Sequence, residues 1–298
     1  MAILAALLLQ ADDLAALSER AQKLEKIPSV EAAAAEGEEI AGKLAELIRS
    51  NPEHPKLFQA LELLSTVHQS VGRRHLIAGD AKSADASYAE AVRASGSLVE
   101  RVKEKIAKAG DEENPALQEA ALFAGYQFIV ASHHRAYALK QDGSRRADLE
   151  KLIAELEPFF RDYFNHHDTY FLAVDAAVYF GRCCQFAAES FGDRFSVADR
   201  YWTQSLNWLV KGRDLLNLRE MREHEDAHTI AARGTLHEIE ARLSWSKQLQ
   251  AAGGPWERQI LRAIDAGRSL FAIVPAIGRT DLGQKIASEI QAAEKRLK

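Results

Sequence analysis

Apolar residues recur every three to four positions along most of the chain, as in "VEAAAAEGEEIAGKLAELI" after Ser29, and no stretch alternates apolar and polar residues as a half-buried strand does. That period predicts an all-α protein. The 7 prolines and 17 glycines are read as punctuation between the periodic segments. About eleven helices are expected, near 11–25, 29–50, 55–78, 81–109, 115–141, 145–165, 169–191, 196–212, 214–250, 255–274 and 280–297. Capping chemistry sets the starts: Ser29, Asn114 with Pro115, Ser144, Asp168, Ser196 and Gly254 with Pro255 each precede an amphipathic run, and Pro55 opens another.

The connections are short, so successive helices should fold back as antiparallel hairpins. A chain of 298 residues is at the size where a single core stops growing, and a stack of hairpins accommodates this many helices without an oversized core. No Ser/Gly-rich linker interrupts it. The expected organisation is an N-terminal apolar, helical segment over 1–28, then one helical array over 29–298 closed by a capping helix at 280–297.

Composition narrows the partners. With 47% hydrophobic and 27% charged residues the chain should fold rather than stay disordered. A formal charge of -5 argues against nucleic acid, whose phosphates demand a net basic face. The apolar run in "MAILAALLLQADD" is too short to cross a bilayer and lacks the basic start of a secretory signal, so no membrane span and a cytoplasmic location are expected. Export, with that run as the remnant of a clipped signal peptide, is the alternative.

One stretch carries more than periodicity. "TVHQSVGRRHLIAGDAKSADASYAEAVRASG", Thr66 to Gly96, has Gly72 in a first helix, a turn at Gly79 and Asp80, then Ala84, Tyr88 and Ala91 in a second. This order of small, aromatic and small residues resembles a tetratricopeptide repeat. Small residues let two helices approach closely, and the aromatic fills the gap they leave. A second copy, "YFGRCCQFAAESFGDRFSVADRYWTQSL", offers Gly181, Ala198, Trp202 and Ser205, with about five extra residues in its first helix and turn. The hairpin between them has the right length, but leucines replace its small residues. The clearest repeats are therefore 65–98 and 170–210, and the resemblance implies a right-handed solenoid of helical hairpins.

The same resemblance implies a site. Arg73 and Arg182 directly follow the repeat glycines, at a position that in the family looks into the concave groove. Arg135, in "HHRAY", is the middle hairpin's counterpart, and Gln69 lies one turn before Arg73. Guanidiniums present planar forks of donors matched to carboxylates, so Gln69, Arg73, Arg135 and Arg182 are the candidate groove, with a protein or acidic peptide as partner. The simpler alternative is that each arginine is solvated or paired with a nearby glutamate. The asparagine-containing carboxylate clamp of chaperone-binding members is not visible.

A competing chemistry is spelled by His224, Glu225 and His228, the H-E-x-x-H of zinc hydrolases. Its surroundings are charged, Asp226 sits inside it, and the position six residues after His228 is Gly234 rather than a third ligand. His237 comes too late, and Glu238 and Glu240 belong to the same helix. The pairs His133/His134 and His166/His167 diverge on a helix or fit a polar turn, and Cys183/Cys184 suit a packed interface. No phosphate loop, nucleophile elbow or dinucleotide fingerprint is present. The expected function is a non-enzymatic peptide-binding scaffold without metal or cofactor. A zinc hydrolase is the second reading; the third is a structural subunit whose apolar faces are buried in a homo-oligomer or an envelope complex.

Overall fold

The computed structural model describes residues 14–54, 56–109 and 114–298. The apolar run ahead of residue 14 and the helix-opening Pro55 lie outside them. Among the described residues the protein is all-α, with no strand. The helices are α1 (14–23), α2 (Val30–Ser50), α3 (Leu57–Ile77), α4 (Ala81–Ala109), α5 (Pro115–Gln141), α6 (Arg146–His167), α7 (Phe171–Ser190), α8 (Phe195–Asp214), α9 (Glu225–Ala251), α10 (Glu257–Ile273) and α11 (Asp281–Arg296). None of the described helices is long and apolar enough to cross a membrane.

Each helix packs on its neighbours in chain order, within two compact units, Met1–Asp142 and Gly143–Lys298. In the first unit α2 packs on α3, α3 on α4 and α4 on α5. Residues 14–28 are part of this unit, because Leu17, Leu24, Ile40, Leu44, Ala60 and Val67 share one core. In the second unit α7 is buried nearly all round and packs on α6, α8 and α9, while α9 also packs on α10 and α11.

Several ends obey the capping chemistry read from the sequence. The Ser29 hydroxyl accepts from the Ala32 N–H (3.2 Å), and Asn114 accepts from the Ala116 N–H (3.1 Å) with Pro115 following. Gly79 adopts φ 81°, and the Asp80 N–H donates to the His75 carbonyl (2.9 Å) while the Gly79 N–H donates to Leu76 (3.0 Å). This left-handed closure needs glycine and ends α3 where the turn is expected.

Other expected caps are not used. Arg145 precedes α6 instead of Ser144; Asp168 ends α6 rather than starting α7; Ser196 lies inside α8; and Trp256 stands before α10 in place of Gly254 and Pro255. Pro158 sits inside α6 instead of between helices.

The largest departure is the expected helix at 214–250. The chain makes two short 3-10 turns, Leu215–Asn217 and Arg219–Met221, before α9 begins at Glu225. The cause is tertiary. A Cβ on Gly212 would stand 3.3 Å from the Gly234 Cα, and one on Gly234 would stand 3.0 Å from the Leu209 carbonyl. Two helices crossing this closely must reverse between them, and leucine-rich sequence alone does not signal that reversal.

The glycine of the first repeat-like stretch packs as its pattern implies. A Cβ on Gly72 would meet the Tyr88 ring at 2.8 Å, and Ala84, Tyr88 and Ala91 are all buried. In the second stretch Ala198, Trp202 and Ser205 are fully buried, but Gly181 faces Leu209, two turns beyond Trp202 on α8. The longer first helix and turn shift the register of the close approach.

Candidate functional site

Each arginine of the sequence-derived groove has an in-chain carboxylate. Arg73 Nη1 donates to Glu25 Oε1 (2.9 Å), Arg135 Nε to Asp85 Oδ1 (3.0 Å), and Arg182 Nη1 to Glu240 Oε2 (2.8 Å). Arg182 also donates to Gln185 (2.7 Å). The three differ in how far they are committed. Asp85 is buried, so its pair with Arg135 fixes α5 against α4; Arg73 and Glu25 are both about half exposed and hold each other weakly.

In the first unit Gln69 bridges helices. Its amide donates to Ser65 (3.2 Å) while its oxygen meets His134 Nδ1 (3.0 Å), and the His134 ring lies 5.6 Å from that of Tyr88. Burial, assisted by the nearby Arg73 charge, lowers the His134 pKa to about 4; burial and Arg93 do the same for His68.

These shifts have a sign. The folded unit holds both imidazoles neutral, whereas an unfolded chain takes up protons below about pH 6.5. Stability is therefore expected to fall as pH drops from about 6.5 towards 4, by up to about 2–3 kcal/mol per histidine. Circular dichroism melts at pH 7 and pH 4.5 check this: His68→Gln with His134→Gln should flatten the difference. An equally steep loss in the double variant would assign it to other groups.

In the second unit Arg182 belongs to a polar strip between α7 and α9. Asp175 pairs with Arg233 (2.8 Å), Arg233 donates to the Tyr179 hydroxyl (3.0 Å), and Glu240 takes both Arg182 and His237 (3.0 Å). The strip is tied into itself. Its guanidiniums meet an outside carboxylate only by giving up an existing one.

The zinc-hydrolase motif stands at a helix start rather than along a helix. His224 is the residue before α9 and lays its ring against Phe171 (5.6 Å), while His228 Nε2 is engaged by the Arg222 carbonyl. His166 turns to the Asp162 carbonyl (2.7 Å) and His167 packs on Tyr163 (5.1 Å). Among the described residues no three His, Cys, Asp or Glu side chains gather closely enough to hold a metal ion. Cys183 and Cys184 are wholly buried in α7, and burial pushes the Cys183 thiol up to about 12 and Cys184 well above its usual value. That burial disfavours the thiolate, the nucleophilic form, in both.

A feature outside the sequence reading is a trough of about 670 Å³ between α6 and α8. Its α6 wall presents Glu150, Ile153, Ala154, Glu157 and Arg161, and its α8 wall Arg200, Tyr201, Thr203, Gln204, Asn207 and Trp208. The charges pair among themselves: Arg161 with Glu157 (2.7 Å) and, more loosely, Arg200 with Glu150 (3.9 Å). Phe160 and Phe164 meet the Trp208 ring edge-on at 4.8 and 5.3 Å and hold it in place.

The unused groups are neutral. Among the described residues Thr203, Gln204 and Asn207 have no side-chain partner; Thr203 and Asn207 are exposed and Gln204 partly so. Pro158 has no N–H to give the Ala154 carbonyl, so α6 lacks one helical hydrogen bond on a residue lining the trough. The sequence held two traces of this: a proline inside an amphipathic run, and polar residues one turn apart on the outer face of α8. No model of a known protein family matches the chain, and comparison with curated proteins gives no match.

Proposed function

We propose that this chain is a non-enzymatic, tetratricopeptide-like scaffold that binds a protein segment, and that the segment lies in the trough between α6 and α8. The observation that carries the reading is the contrast within that trough: its charges are paired in-house, while among the described residues the Gln204 and Asn207 amides have no partner and stand beside Trp208, whose ring also carries the Arg161 guanidinium at 6.0 Å. A side-chain amide offers one acceptor and two donors, the complement of an extended main chain, and an indole face accepts an apolar side chain.

A segment bound this way is read mainly through its backbone and one apolar anchor. An acidic partner that displaces Glu25 from Arg73 in the first unit, or Glu240 from Arg182 in the second, would use another surface. The pairing already present makes that surface the weaker candidate. Among the described residues the hydrolase reading finds no third ligand near His224 and His228, and it is not favoured.

The test is a peptide-display selection on the purified chain, followed by affinities for Gln204→Ala with Asn207→Ala. Losing two exposed hydrogen-bonding side chains is expected to weaken binding by about 1–3 kcal/mol with an unchanged melting temperature. Unaltered affinity would move the site elsewhere.

A further inference from the structure

A second trough, of about 650 Å³, lies wholly within the first unit, between the α1 segment and α3. Glu62 lines it, flanked along α3 by Gln59, Thr66 and Ser70, with Ser18 and Gln22 on the opposite wall. Unlike the carboxylates of the other trough, Glu62 has no cation among the described residues: no ion pair or side-chain hydrogen bond from them reaches it, and Lys56 at the head of α3 makes none with it. Glu25, on the same trough, is already taken by Arg73.

Half-covering a carboxylate strips part of its hydration, and an incoming cation would offset that loss. Burial accordingly raises the Glu62 carboxyl above its ordinary pKa. The sequence ahead of Leu14, residues 1–13, contains no Lys, Arg or His and adds Asp12 and Asp13.

From this we infer that the α1–α3 trough is a docking site for a partner segment bearing a lysine or arginine, whose cationic head pairs with Glu62. The hydroxyls of Ser18 and Ser70 and the amides of Gln22 and Gln59 offer acceptors for the remaining N–H groups of such a head. This goes beyond the α6–α8 reading and concerns the opposite ligand chemistry to the acidic segment suggested by the arginines.

The experiment is a random peptide library displayed against the full chain and against Glu62→Gln. Peptides selected on the wild type should share a Lys or Arg, bind at least about tenfold more weakly to Glu62→Gln, and lose affinity as salt rises. The melting temperature of Glu62→Gln should be no lower than that of the wild type, since only an unanswered carboxylate is removed. With Glu62→Lys, a peptide whose basic residue is exchanged for Glu should regain binding, which a mere folding defect would not produce.

Selected peptides without a shared basic residue, or with affinity indifferent to Glu62, would overturn the inference, as would a library yielding no binder. Peptides that depend on Gln204 and Asn207 but not on Glu62 would overturn it while leaving the α6–α8 reading intact. Dependence on Glu62 alone would do the reverse.

Discussion

Replacing Glu238 with alanine is expected to destabilise the second unit by about 3–5 kcal/mol. Glu238 is 1% exposed and accepts from Arg213 of α8 (2.8 Å) and from Arg242 one turn along α9 (2.9 Å). Arg242 reaches on to Gln259 of α10 (3.0 Å), so one carboxylate ties three helices. Burial already lowers the Arg242 pKa, against the pull of Glu238. Without Glu238 that guanidinium keeps only a neutral partner, and the penalty is the uncompensated charge rather than the lost contacts. The paired change Glu238→Leu with Arg242→Met should recover most of the loss, because apolar side chains of similar volume need no partner.

Tryptophan fluorescence during urea unfolding measures this unit by itself, since all four tryptophans, Trp202, Trp208, Trp245 and Trp256, lie in it. A Glu238→Ala midpoint equal to the wild type would mean that the three helices hold together without the ion cluster.

Trp202→Ala should cost a similar amount, about 3–5 kcal/mol, for a different reason. The indole is wholly buried, and its N–H donates to Gln248 Oε1 (2.7 Å), joining α8 to α9. Truncation leaves a cavity and an unanswered amide. Trp202→Phe keeps most of the ring and strands only the amide, so about 1–2 kcal/mol is expected. Fluorescence-detected unfolding of the two variants separates packing from hydrogen bonding, and equal losses would show that the hydrogen bond dominates.

Trp202 also marks how far the sequence could be read. Its place among small residues on an amphipathic run was enough to expect burial, and the periodicity gave every helix from α2 to α8 nearly to its ends. Local chemistry sufficed there. It failed at 214–224, where Leu215, Leu216, Leu218 and Met221 continue an apolar pattern with no glycine or proline to stop it. The break is imposed by the Gly212–Gly234 crossing, which exists only once α8 and α9 are packed.

The candidate sites divide in the same way. Arg73, Arg135 and Arg182 could be picked out by position, but their carboxylates Glu25, Asp85 and Glu240 lie 48, 50 and 58 residues away in sequence. Residue type showed where charges stand; only the fold showed which were already answered. Pro158 and the polar residues of α8 left traces of the trough between α6 and α8, but sequence could not join them, because α7 lies between its walls.

Hydroxyl-radical footprinting of the chain with and without a library-selected segment tests the scaffold reading most directly. Trp208 on the α8 wall should be oxidised several-fold more slowly in the complex, while Tyr179 on the α7–α9 strip and the exposed Tyr170 react as before. Protection of Tyr179 with Trp208 unchanged would contradict the account and place the partner on the α7–α9 strip that holds Arg182.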